Sequence, residues 1–128
     1  MRLLLDTHTF LWFVFGNALL SGTARVLIDD AANEKLLSIA SVWEVAIKVS
    51  VGKIELNQPI EPFFTDQLAR CHVQLVPIEL RHAARVSTLP LFHRDPFDRL
   101  LVAQSLADGL ALVSADAALD AYGVDRRW

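Results

Sequence analysis

Short apolar runs that stop abruptly at a polar residue recur along this chain, each followed by a stretch of helical character, and this alternation restricts the fold more than any other feature. Leu3, Leu4 and Leu5 form the first run, cut by Asp6, after which FLWFVF continues apolar on every side, as a buried helix does. Ser21 can cap a helix through Ile28, Lys35 to Ile39 reads as a second strand, and Ser41 opens a third helix that Gly52 can close. Pro59 and Pro62 precede a helix over Phe63 to Arg70, His72 to Ile78 is strand-like, and Glu79 to Ser87 is a short helix that stops before Pro90. Phe97 to Ala107 has helical spacing with Gly109 as its stop, and Leu110 to Val113 follows as a strand. A last helix over Ala117 to Tyr122 ends at Gly123, and Val124 to Trp128 can lie as a short strand at a sheet edge. Strands alternating with helices predict an α/β fold with a mainly parallel central sheet covered on both faces. With no linker, repeat or low-complexity run in 128 residues, a single domain over 1–128 is expected.

Composition removes several function classes. The lone Cys71 can form neither an internal disulfide nor a cysteine zinc site, which points to a reducing compartment. A formal charge of −3 supplies no overall positive field, so any nucleic acid must be met by a local patch. The basic residues are nine Arg against three Lys, a bias that suits bidentate phosphate contact. Asp6 and His8 interrupt the apolar N-terminus far short of the roughly 20 residues a membrane helix needs, so a cytoplasmic protein with no membrane segment is expected. Mean hydropathy is high for a small domain, +0.35, and the excess reads as subunit or partner contact, although a tightly buried parallel sheet would raise it too.

In an open parallel sheet, ligands bind outside the carboxyl ends of the strands, near helix N-termini. Four acids fall there. Asp6 follows the first strand, Glu44 lies in the first turn after the second, Asp98 opens the helix after HRDP, and Asp116 follows LVSA. Each has a plain structural explanation. Ser41 and Glu44 spell a capping box, and Asp98 and Asp116 sit where a helix dipole favours any anion. Asp6 is harder to explain away, because a carboxylate directly after three leucines must point toward the mouth of the sheet. If the sheet gathers all four, each pair ~4 to 5 Å apart repels by 3 to 4 kcal/mol at an effective dielectric near 20. A divalent cation would neutralise them, and an all-oxygen ligand set selects Mg²⁺ or Mn²⁺, ions suited to cutting a phosphodiester.

Within HRDPFDRLLVAQ, Asp95 can cap the helix, Pro96 suits its first position and Asp98 sits in the first turn. That leaves Arg94 and Arg99 to offer guanidinium to phosphate. His93 is either a general acid or a neutral hydrogen-bonded loop histidine, and His8 beside Asp6 has the same two roles open. Trp12, Trp43, Phe63 and Phe64 could stack bases or receive a partner helix. Trp12 and Trp43 sit in apolar helical runs and read as core, whereas the adjacent Phe63 and Phe64 cannot easily face the same way, so that one is expected to be exposed.

The segments LLLDTHTFLW, ASVWEVAIKVSVGKI, LPLFHRDPFDRLLVAQSLADGLALVSAD and DAYGV together resemble the PIN-domain ribonucleases, specifically the VapC-type toxins of toxin–antitoxin pairs, over almost the whole chain. The resemblance implies a three-layer α/β/α fold, a Mg²⁺- or Mn²⁺-dependent endoribonuclease, a homodimer and a VapB-type antitoxin that covers the site. It maps the acidic quartet onto Asp6, Glu44, Asp98 and Asp116, with Thr7 and Ser114 orienting the carboxylates by hydrogen bonding. Two alternatives stay open. A receiver-like phosphoacceptor also uses a carboxylate pocket for Mg²⁺, but it wants a lysine after a late strand, and the lysines here are Lys35, Lys48 and Lys53. A catalytically silent scaffold that only binds RNA or a partner would have no use for an intact quartet.

Overall fold

In the computed structural model, which describes residues 1–128, five strands form one sheet in which every neighbouring pair is parallel. They are β1 (Arg2–Leu5), β2 (Glu34–Ser38), β3 (Val73–Val76), β4 (Ala111–Val113) and β5 (Arg126–Arg127), in the order β3-β2-β1-β4-β5. Between them run α1 (Thr7–Phe15), α2 (Gly22–Asp29), α3 (Ile39–Ser50), α4 (Ile60–Cys71), α5 (Leu80–Val86) and α6 (Pro96–Asp108), with a 3-10 helix over Ala117–Tyr122 before β5.

The first strand explains the layering. Leu3, Leu4 and Leu5 are all 0% exposed, so both faces of β1 are covered, and their alternation sends them into different cores. Leu3 and Leu5 pack with Leu37, Phe10 and Ile28 and with the phenylalanines of α4, whereas Leu4 packs with Leu36, Leu101, Leu112 and Leu119. Helices therefore cover each side, giving the expected α/β/α sandwich. From β1 the chain winds outward through β2 and β3, then crosses back to β4 on the other side of β1. Connections diverge at the β1–β4 boundary, which opens a crevice at the carboxyl ends of those two strands.

Several local expectations change. Helix α3 starts at Ile39, capped by Ser38, whose hydroxyl accepts the Ala40 N–H. Strand β2 runs straight into the helix without a loop, so Ser41 and Glu44 lie inside the helix, facing the core, and are not a capping box. Helix α4 begins at Ile60, earlier than expected, because Pro62 is its third residue, where a backbone N–H has no intrahelical partner to lose. His72 ends α4 in the left-handed region, φ 53°, and is not part of β3. The last helix is 3-10, and the terminal strand has only two residues.

Side-chain placement differs at the aromatics. Phe63 and Phe64 are both buried and meet edge to face, their centroids 5.2 Å apart, because α4 lays a wide apolar face on the sheet. Trp43 is 61% exposed, resting only its edge on Phe97 of α6, so it is not core. Trp12 is half-buried against Trp128.

Because Leu4 is enclosed by the second core, Leu4→Ala is expected to lower unfolding free energy by about 3 kcal/mol, measured by urea denaturation, while the slope against urea stays unchanged.

Candidate active site

Asp6 leaves β1 in an extended conformation and caps α1, its Oδ1 accepting the Thr9 N–H at 2.8 Å. Its Oδ2 accepts the Ser114 hydroxyl at 2.5 Å. These two donors and the helix dipole let a carboxylate survive burial at the end of a central strand. Ser114, directly after β4, also takes the Asp116 N–H on its Oγ at 3.1 Å, and so joins two of the four acids. Asp116 caps the 3-10 helix.

Glu44 projects inward from α3. Its Oε1 lies 2.7 Å from Thr7 Oγ1, which is also 2.9 Å from Ser41 Oγ. A carboxylate only accepts, so the single hydroxyl proton of Thr7 goes to Glu44. The other oxygen pairs with Lys48 one turn on, at 2.8 Å. Thr7, the residue after Asp6, thus ties the third acid to the end of β1.

Asp98 lies in the first turn of α6, capped by Asp95, whose Oδ1 accepts from Phe97 and Asp98. His93 faces it: Nε2 is 3.5 Å from Asp98 Oδ2 and 3.1 Å from Asp116 Oδ2. The Asp95 N–H donates to His93 Nδ1, so in the neutral ring the proton sits on Nε2 and points at the carboxylates. His93, Asp98 and Asp116 each present one ligand atom, all within 4.8 Å of one another.

The Asp98 carboxyl is pushed up to about 7, first by burial and then by Asp95, with His93 pulling it down and Asp6 and Glu44 adding to the rise. Asp98 therefore feels Asp6 and Glu44 as well as Asp95. Five carboxylates, Asp95 included, face Lys48 and His93, with Arg126 acting more weakly on Asp116, and the acids still outnumber these partners. That excess, on oxygen donors, fits a hard divalent cation. A cleft of about 300 Å³, lined by Asp6, His8, Trp12, Ala115 and Asp116, opens the cluster to solvent.

The two arginines separate. Arg94 is exposed beside His93. Arg99 turns away to the carbonyls of Pro90 and Val86 and the Tyr122 hydroxyl, clamping the loop that carries His93. Tyr122 Oη also accepts the His93 N–H at 2.9 Å. Sequence reasoning missed Lys48, whose position four residues after Glu44 was a usable signal. It also left His93 undecided, since its orientation depends on the Asp95 backbone and on Tyr122.

The chain matches the PIN domain over residues 3–125. It is 33% identical to Ribonuclease VapC22 of Mycobacterium tuberculosis over 120 residues, 93% of this chain and 90% of that protein. It is also 33% identical to Ribonuclease VapC16 of the same organism over 60 residues, 47% of this chain and less than half, 43%, of that protein. In fold it resembles VapBC2 from Rickettsia felis bound to a promoter DNA fragment, with TM-score 0.67 at 13% identity over 95% of this chain and 93% of that one. FitAcB from Neisseria gonorrhoeae is similar, with TM-score 0.61 at 16% identity over 97% of this chain and 95% of that one. This chain belongs to the PIN-domain family. Among its members it is similar in sequence to the VapC ribonucleases.

The raised Asp98 carboxyl makes a signed prediction for the metal-free protein in EDTA. Folded Asp98 holds its proton to about 7, whereas an unfolded aspartate releases it near ~3.9. Its contribution to stability is therefore full below the unfolded value and is lost as pH rises through the folded one. Asp98→Asn should stabilise the protein at pH 8 by about 1 to 2 kcal/mol after solvent screening, read as a higher thermal midpoint, and the gain should shrink as pH falls toward 4. A variant no more stable than wild type at pH 8 would contradict the assigned cost of burying the Asp98 charge beside other acids.

Proposed function

We propose that this protein is a VapC-type endoribonuclease, with Asp6, Glu44, Asp98 and Asp116 holding Mg²⁺ or Mn²⁺ at the carboxyl ends of β1 and β4. The observation that supports this is a group of Asp98, Asp116 and His93 ligand atoms within 4.8 Å of one another, with Asp6 linked to Asp116 through Ser114 and Glu44 tied to the end of β1 through Thr7. When bound, such an ion supplies Lewis-acid polarisation of a phosphoryl group and activation of water.

The protein's own groups prepare the rest. Ser114 and the α1 amide hold Asp6 in one rotamer, and Thr7 does the same for Glu44, so the ligands need little reorganisation. His93 presents Nε2–H at the rim of the cluster as a hydrogen-bond donor. Arg94 stands exposed next to it, placed to take an RNA phosphate, whereas Arg99 is occupied with loop carbonyls.

A VapB-type antitoxin is the proposed protein partner, in line with the VapBC2 and FitAcB complexes that share the fold. Ile39, Trp43, Ile47 and Val51 are all exposed at four-residue spacing along one face of α3 and its end, an apolar strip that supports the proposed homodimer. No helix is long and apolar enough to cross a membrane.

The test is incubation of the purified protein, freed of any antitoxin, with total RNA in Mg²⁺, Mn²⁺ or EDTA, beside Asp6→Asn and Asp98→Asn. Discrete fragments are expected with metal and none in EDTA, and each variant should lose at least about a hundredfold in rate. Asp98→Asn should do so while being the more stable protein. Equal cutting by folded variants, or none by folded wild type, would refute the assignment.

A further inference from the structure

A second cleft continues from the acid cluster. The cleft at Asp6 and Asp116 and a larger one, of about 420 Å³, share His8 and Trp12 as a common wall. The larger cleft extends along α1 to Phe15 and is bounded on its other side by Lys48 and Lys53, at and just beyond the end of α3.

Its two walls differ in chemistry. His8 and Trp12 are one turn apart on α1, with ring centroids 5.7 Å from each other. Trp12 also meets the Trp128 ring, tilted by 57° at 5.9 Å, so its ring is braced. Opposite stand two of the three lysines of the chain. Lys48 Nζ is 2.8 Å from Glu44 and so stands between this cleft and the acids. Lys53 is exposed, and the ion pairs of the protein are made by Arg2, Lys48, Arg81, Arg126, Arg127 and two histidines, which leaves Lys53 unpaired.

A braced aromatic face opposite the free Lys53 ammonium is complementary to a base attached to a phosphate. A purely apolar occupant would use the aromatic wall and leave Lys53 unanswered. Through His8 and Trp12 the cleft adjoins the one that Asp6 and Asp116 line, so a strand whose phosphate reaches those carboxylates has its neighbouring nucleotide here.

We propose that this cleft is a nucleotide subsite for single-stranded RNA, with a base stacked on Trp12 beside His8 and the adjoining phosphate held by Lys53. The proposal rests on the ribonuclease reading of the acid cluster and adds where sequence preference is exerted: the base next to the cut is selected by the α1 wall, not by the carboxylates.

The test is fluorescence anisotropy of a labelled, randomised RNA dodecamer pool, run in EDTA so that binding is read without cleavage. Lys53→Glu should weaken binding by about tenfold and reduce its salt dependence, because a phosphate contact is lost. Arg70→Glu makes the same charge change at the far end of α4, beside the amino end of β3, and should alter binding less than twofold. Trp12→Leu should weaken binding by about tenfold, while Trp12→Phe, which keeps a ring, should retain most of it. With metal present, Trp12→Leu should also change the base found beside the cut. Thermal denaturation checks that each variant is folded, and if Trp12→Leu is not, the lysine pair decides. The proposal is overturned if the pool does not bind, if Lys53→Glu binds as wild type, if Arg70→Glu loses as much, or if folded Trp12→Leu binds as well as Trp12→Phe. Cutting by wild type with unaltered Lys53→Glu binding would sink the subsite and leave the ribonuclease standing. The expected binding pattern without any cutting would do the reverse.

Discussion

Mutual repulsion among carboxylates at the carboxyl ends of β1 and β4 is the constraint around which the rest of this protein is arranged. A pair of such charges ~4 to 5 Å apart costs 3 to 4 kcal/mol at an effective dielectric near 20, a large share of the 5 to 15 kcal/mol by which domains are typically stable. The fold meets that cost in two ways. Asp6, Asp98 and Asp116 all sit at helix N-termini, where backbone N–H groups and the aligned peptide dipoles favour negative charge. Glu44, in a helix interior, lacks that help and instead has Lys48 and the Thr7 hydroxyl. Asp98, pushed up to about 7 first by burial and then by Asp95, Asp6 and Glu44, meets the remaining cost by keeping its proton. A site that is strained when empty is one that gains most from binding a cation.

Holding the strand ends still falls to the apolar sheet. Leu3, Leu4, Leu5, Leu36, Leu37 and Leu112 are enclosed on both faces, so β1 and β4 cannot slide or splay to relieve the repulsion. The Asp6 amide bonds the Val113 carbonyl, and Thr9 Oγ1 bonds the same oxygen, which continues the strand pairing to the edge of the site. Rigidity of the strands and discomfort of the carboxylates are therefore one arrangement seen from its two ends.

What the sequence made legible was local. Short continuous apolar runs and their abrupt ends located the strands, and Ser21, Asp95, Pro96, Gly109 and Gly123 marked helix ends through their own backbone chemistry. The four acids were legible because they fall where a parallel sheet places its ligands. Apart from Lys48, a local i,i+4 partner of Glu44, most of the misses turn on contacts made across the fold. Ser41 looked like a cap because its neighbour Ser38 could not be seen to end a strand. Trp43 read as core from its apolar run, yet α3 turns it toward solvent, and Phe63 and Phe64 are both buried only because α4 meets the sheet broadly. Arg99 reads as a phosphate ligand until the carbonyls of Val86 and Pro90 are found beside it.

The two most distinctive motifs of the chain turn out to be halves of one device. Tyr122, in the closing DAYGV, accepts hydrogen bonds from the His93 amide and from Arg99, both within HRDPFDR. Arg99 in turn grips the carbonyls on either side of the loop leading to His93. Neither motif has a complete explanation alone: HRDPFDR builds a helix start and an acid, and DAYGV builds a turn of 3-10 helix. Joined, they fix the loop so that the Asp95 amide meets His93 Nδ1 and Nε2–H reaches Asp98 and Asp116. The cluster thus has a rigid part, Asp6 at the buried strand end, Glu44 on α3 and Asp98 on α6, and one suspended member, His93, whose position depends on a few hydrogen bonds to one phenol. The donor that faces Asp98 and Asp116 is therefore held by the loop and not by a regular element, and its reach to the carboxylates is set by Tyr122 and the Asp95 amide.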